Sequence, residues 1–80
     1  MCILINLNIN IVNKLCAICD SCSFEIDVVC GSRIVDGKST MGVTQMCGRI
    51  VELRPLTDSM DEIKLFFSKV EELGAYIEEK

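Results

Sequence analysis

Histidine, the side chain that most often does chemistry near neutral pH, is missing from this sequence, whereas cysteine occurs six times in 80 residues. Without an imidazole there is no ring nitrogen to accept a phosphoryl group or relay a proton at ordinary pKa. Cys16-x-x-Cys19-x-x-Cys22 carries part of the spacing that ligates iron–sulfur clusters, with Cys30 or Cys47 available as a fourth ligand. The fourth cysteine followed by proline, usual in such clusters, is missing. On a helix these three cysteines stand at i, i+3 and i+6, round the face that Leu15 and Ile18 also occupy, where cysteine acts as a small apolar packing residue. Two readings therefore stand side by side: core filler, or a cysteine-dependent metal or redox site. A thioredoxin-like pair would need its thiol at a helix N-terminus, and Cys16 falls well inside the helix.

The other chemical candidate is Ser39, in Lys38-Ser39-Thr40-Met41. Ser39 stands where a helix N-cap belongs. A phosphate on its hydroxyl would face unsatisfied backbone N–H groups and the positive end of the helix dipole, with Lys38 adjacent. The bland reading is an N-cap and nothing more. Glu71 with Glu72, and Glu78 with Glu79, are sequence neighbours on a solvated helix side and read as solubilising charge rather than as an acid–base pair. No P-loop, nucleophile elbow or aromatic nucleic-acid platform is present in the sequence.

These residues need elements to position them. Residues 2–7 form a short apolar run suited to a strand, and over residues 10–22 the apolar positions Ile11, Leu15, Ile18, Cys19 and Cys22 recur at helical steps behind Asn10 as N-cap. Phe24, Ile26 and Val28 alternate with Glu25 and Asp27 in a strand that continues to Cys30. Gly31-Ser32 turns the chain into a partner strand over residues 33–35, which Asp36-Gly37 ends. A helix with Met41, Val43 and Met46 follows Ser39, kept short by Gly42. Residues 49–53 are the fourth strand, stopped by Pro55 from running on as a central strand. Ser59 and Glu62 form a capping box ahead of Ile63, Phe67, Val70, Leu73 and Ile77, which predicts an amphipathic helix from residue 59 to the C-terminus with Gly74 as a fray point.

Strand, helix, strand, strand, short helix, strand, helix make an α+β two-layer sandwich, with a four-stranded, mostly antiparallel sheet and helices on one face. Residues 1–80 are expected to be one domain with a modest core. The net charge of −4 repels nucleic-acid phosphates and anionic membrane surfaces. The opening MCILINLNIN, interrupted by Asn6, Asn8 and Asn10, reads as structure rather than as a signal, and no apolar run approaches the roughly 20 residues of a membrane span. A cytoplasmic protein with reduced thiols is the expectation.

That order of elements, together with G-K-S-T-M-G-V-T-Q-M over residues 37–46, resembles the phosphocarrier protein HPr of the sugar phosphotransferase system around its regulatory serine. The resemblance runs from residue 24 to the end, with a link between Met46 and Arg49 shorter than is usual in the family. Ahead of residue 24 it decays. The family's phosphoacceptor histidine, its arginine and its proline fall, on a gapless count from Ser39, at Asn8, Asn10 and Ile11. That count also puts the first strand before Met1; alternatively the active-site loop is deleted and residues 2–7 are that strand. Either way the phosphoacceptor is gone. An asparagine amide offers no nucleophilic lone pair, and Asn10 offers one neutral hydrogen bond in place of a bidentate guanidinium clamp.

The resemblance implies an HPr-like open-faced sandwich, βαββαβα, that has lost histidine phosphocarrier chemistry and acts as a regulatory or binding protein, not an enzyme. It implies Ser39 as a site of regulatory phosphorylation, and Lys38, Thr40, Met41 and Met46 as a patch that docks protein partners: a serine kinase, a transcriptional regulator or a phosphotransferase-system protein. The competing view of the patch puts Met46 and Val43 in the core and only Met41 outside. No cofactor is expected. A monomer or a weak homodimer paired through an open first-strand edge is the expected assembly. A non-phosphorylated interaction module or vestigial paralogue is the alternative.

Overall fold

The computed structural model describes residues 2–74 and the backbone of residues 76–79. Strands form where the sequence alternates: β1 (Ile3–Asn6), β2 (Glu25–Cys30), β3 (Arg33–Asp36) and β4 (Ile50–Leu56). Helices α1 (Val12–Asp20), α2 (Thr40–Thr44) and α3 (Met60–Glu71) alternate with them, and a last strand, β5 (Tyr76–Glu79), closes the chain. All strand pairs are antiparallel, in the order β3-β2-β4-β1-β5. The expected α+β two-layer class and its four strands are present, and β5 adds to them.

Period two decides which side of each strand is buried. Ile3 and Ile5 of β1, Ile26 and Val28 of β2, and Val51 and Leu53 of β4 are buried against the helices. Their neighbours Asn6, Glu25, Ile50 and Arg54 face outward. The helices supply Leu15 and Cys19 from α1, Val43 from α2, and Ile63, Phe66, Phe67 and Val70 from α3. Phe66 is fully buried although the spacing pointed to Phe67, and it meets Phe24 edge-on with ring centres 6.3 Å apart.

Four expectations change. The final helix stops at Glu71, because Gly74 takes a φ of 77° and the chain then turns to pair β5 with β1, placing Glu78 opposite Leu4. Ile77, Glu78 and Glu79 therefore belong to a strand, and the outer edge of β1, the expected dimer edge, is paired. Pro55 does not end β4: it pairs with Ile26, while the β1 ladder stops at the Ile3–Leu53 pair, so the proline sits where β4 has a neighbour on one side only. Asn10 is not the cap of α1, whose N-cap is Ile11 without a side-chain bond.

The capping box of α3 forms with a third member. The Glu62 N–H donates to Ser59 Oγ at 3.3 Å, while Thr57 Oγ1 accepts from the Ser59 N–H and donates to the Glu62 carboxylate. In the β2–β3 hairpin, Gly31 has a φ of 62° and Ser32 has no positive φ, which fits a type II′ turn.

Candidate functional site

Ser39 is positioned by a chain of short-range bonds leaving β3. The Lys38 N–H donates to Asp36 Oδ1 and the Ser39 N–H to the Asp36 carbonyl, both at 2.9 Å, so one aspartate folds the turn. Gly37 lies against α1 and β2, its N–H donating to the Ile26 carbonyl at 2.8 Å. A Cβ there would stand 2.9 Å from Cys19 Sγ, so this close approach requires glycine. Ser39 is extended at φ −92° and ψ 97°, and its exposed hydroxyl accepts the Gly42 N–H at 3.4 Å, a long capping bond. A Cβ on Gly42 would stand 3.3 Å from Val35 Cβ, so this glycine lets the five-residue helix lie close on β3.

The side chains around Ser39 divide sharply. Met41 is 78% exposed, whereas Met46 is 1% exposed and Val43 fully buried. Met46 is thus removed from the expected docking patch; it follows the end of α2 and packs into the core. Thr40 is exposed, and the half-buried Lys38 reaches the Glu25 carboxylate at 3.7 Å. Arg33 donates to Gln45, the C-cap residue, at 3.0 Å.

The loop between β1 and α1 holds the two asparagines. Asn8 Oδ1 accepts the Asn10 N–H at 3.0 Å and the Asn8 carbonyl accepts the Ile11 N–H at 3.1 Å, so Asn8 folds a local turn. Ile9 projects from it, 65% exposed. Because Ile3–Asn6 is a strand, the first strand lies within the chain rather than before Met1, and the loop that follows it is short.

The six cysteines are free thiols. Cys19 is sealed in the core, and burial pushes its thiol up to about 12. Burial also raises the Cys16 thiol, against a smaller downward pull from its hydrogen bond with Thr40, a contact that ties α1 to α2. Burial likewise raises Cys22, whose sulfur donates to the Ile18 carbonyl at 3.3 Å. Among the described residues no three His, Cys, Asp or Glu side chains are gathered to hold a metal ion, and Cys16 and Cys19 are buried in the core. Burial thus disfavours the thiolate form at Cys16, Cys19 and Cys22, and the thiolate is the nucleophilic form. A shallow cleft of about 140 Å³ between the end of α1 and α3, lined by Cys22, Phe24, Glu62 and Lys69 among others, was not anticipated. It arises from packing between distant segments, and no local pattern announces it.

No family model and no curated protein matches the chain. Among solved structures, the chain is similar to the crystal structure of HPr-C-His from Thermoanaerobacter tengcongensis, with a TM-score of 0.68 and 20% identity over 89% of this chain and 91% of that one. The fold is HPr-like. Within that HPr-like sandwich the geometry places a capping serine, an exposed methionine and an asparagine turn, with no imidazole anywhere in the sequence. Among the described residues no helix is long and apolar enough to cross a membrane.

Proposed function

We propose that this protein is an HPr-like regulatory or binding protein related to the phosphoenolpyruvate-dependent sugar phosphotransferase system, cytoplasmic, without histidine phosphocarrier activity and not an enzyme, with Ser39 as its phosphorylation site. The observation that carries this reading is the exposed Ser39 hydroxyl at the N-cap of α2, inside the G-K-S-T-M-G segment, beside Lys38 and the exposed Met41. A kinase needs a reachable hydroxyl on a backbone that can be presented, and Ser39 offers both. A phosphate there adds up to about two negative charges beside the first N–H groups of α2 while the hydrophobic core stays as it is. Lys38, Thr40 and Met41 then supply the surface that a kinase, a transcriptional regulator or a phosphotransferase-system protein reads. Histidine phosphotransfer has no acceptor: the asparagines in the β1–α1 loop lack a nucleophilic ring nitrogen.

The test is incubation with an HPr-type serine kinase and ATP, followed by intact-mass measurement and fragmentation. One added phosphate located on Ser39, and none on Ser39→Ala, is the expected result. A protein that stays unmodified is instead the non-phosphorylated interaction module, and a phosphate carried on Thr40 or elsewhere refutes Ser39 as the site.

A further inference from the structure

The side of the sheet away from the helices is a second surface, independent of Ser39. The register sets its rows. Ile34, Val29, Glu52 and Leu4 lie side by side across β3, β2, β4 and β1, and Asp36, Asp27 and Arg54 form the next row. Ile34, Ile50 and Leu56 are 59, 58 and 54% exposed, so three of the seven large exposed apolar residues are on this one face. Its described charges are equally one-sided. Glu25, Asp27, Asp36 and Glu52 stand against Arg54 and, at the rim, Lys38, which reaches Glu25 at 3.7 Å, giving four negative and two positive charges, a net of −2. Asp27 and Asp36 face each other directly across strands, a like-charge pair that disfavours the bare sheet. Both cations are already engaged, Arg54 with Glu52 and Lys38 with Glu25, which leaves Asp27 and Asp36 facing each other.

We infer that this open face docks a basic, apolar segment of a partner protein, whose leucine-like side chains cover Ile34, Ile50 and Leu56 and whose lysines or arginines meet Asp27 and Asp36. The charge selects among occupants. A second copy placed face to face would set one net-negative surface on another. Nucleic acid and anionic membrane are repelled by the same carboxylates. A cationic amphipathic segment gains from both the apolar rows and the carboxylates, and its encounter is steered by the field.

The probe is a synthetic peptide of alternating leucine and lysine, titrated into the full-length, 15N-labelled protein, with a leucine–glutamate peptide as control. The expected result is saturable shifts on β2, β3 and β4 amides around Val29, Ile34 and Leu56, weakened by added salt. The double variant Asp27→Asn, Asp36→Asn lowers the affinity roughly fivefold or more at low salt. In Asp36→Asn the side-chain amide keeps an oxygen to accept the Lys38 N–H, so the turn survives. Leu56→Ser, on the exposed side of β4, also weakens binding, and Ser39→Ala does not. Shifts confined to α1 and α2 or to α3, equal binding of the glutamate peptide, unchanged affinity in both variants, or self-association mapping to this face would each overturn the inference.

Discussion

Gly37→Ala is the substitution through which the placement of Ser39 is best tested. The new Cβ would stand 2.9 Å from Cys19 Sγ and 3.1 Å from the Ile26 carbonyl oxygen. Neither neighbour is at the end of a flexible chain: Cys19 is fully buried on α1, and the Ile26 carbonyl is held by the Gly37 N–H itself. The backbone φ is not positive, so alanine fits the conformation and loses only room. Overpacking of this kind costs about 1–3 kcal/mol. Stiffening the unfolded chain returns about 0.4–1 kcal/mol, leaving a net destabilisation of about 0–2.6 kcal/mol. That range is too wide for the single variant to decide anything, so the double-mutant cycle with Cys19→Ala carries the test. Removing the sulfur relieves the closer of the two contacts and leaves the 3.1 Å approach to the Ile26 carbonyl oxygen, so in that background Gly37→Ala costs less than in the wild type. The expected coupling is about 1–2 kcal/mol, with the double variant more stable than the sum of the singles, read from urea midpoints at constant m-value. Additivity within about 0.5 kcal/mol would show that Gly37 does not lie against Cys19, and the placement of the Ser39 turn on α1 would fall with it.

Met46→Ala is expected to cost about 2–5 kcal/mol, as a large core side chain does, while Met41→Ala, at 78% exposure, stays within about 0.5 kcal/mol; equal effects in thermal melts would contradict the assigned orientation of α2. Folding holds the Cys19 thiol neutral, raised from 9.0 to about 12, so its contribution is complete below the unfolded value and is lost as pH rises from 9.0 toward about 12. Urea midpoints should fall across that interval, less steeply for Cys19→Ala; a slope unchanged by the substitution would argue against a sealed thiol.

What was legible in the sequence follows the range of the forces involved. Glu25-Ile26-Asp27-Val28 declares a strand because each residue answers to its own face of the sheet. The Ser39 and Ser59 caps are equally local, each hydroxyl reaching an N–H three residues on. The C-terminal strand was illegible for the opposite reason. Ile77 continues the spacing of Val70 and Leu73 as if the helix went on, and what breaks it is the left-handed Gly74 together with the open edge of β1, at the other end of the sequence. Pro55 is tolerated inside β4 because the β1 ladder ends at Leu53, a long-range fact that no local pattern around the proline carries. Met46 divided the reading since α2 is too short for periodicity to choose a face.

The surroundings of α2 and the open sheet face carry opposite electrical characters, and this bears on how a phosphate on Ser39 would act. α2 has no acidic residue in its first turn, and cations bracket it: Lys38 just before the N-cap, and Arg33 bonded to the C-cap residue Gln45. The open sheet face, behind the strands, is already net negative. A phosphoryl group added to the sheet face would deepen a field that exists, whereas at Ser39 it would offset the two positive charges that bracket α2. Lys38 reaches Glu25 at 3.7 Å with the carboxylate side chain 60% exposed, a contact that solvent screens heavily. A dianion one residue away competes well for that ammonium. On the proposed reading, phosphorylation therefore exchanges the Lys38–Glu25 contact for a Lys38–phosphate contact. A partner would read a change of charge and not a change of fold.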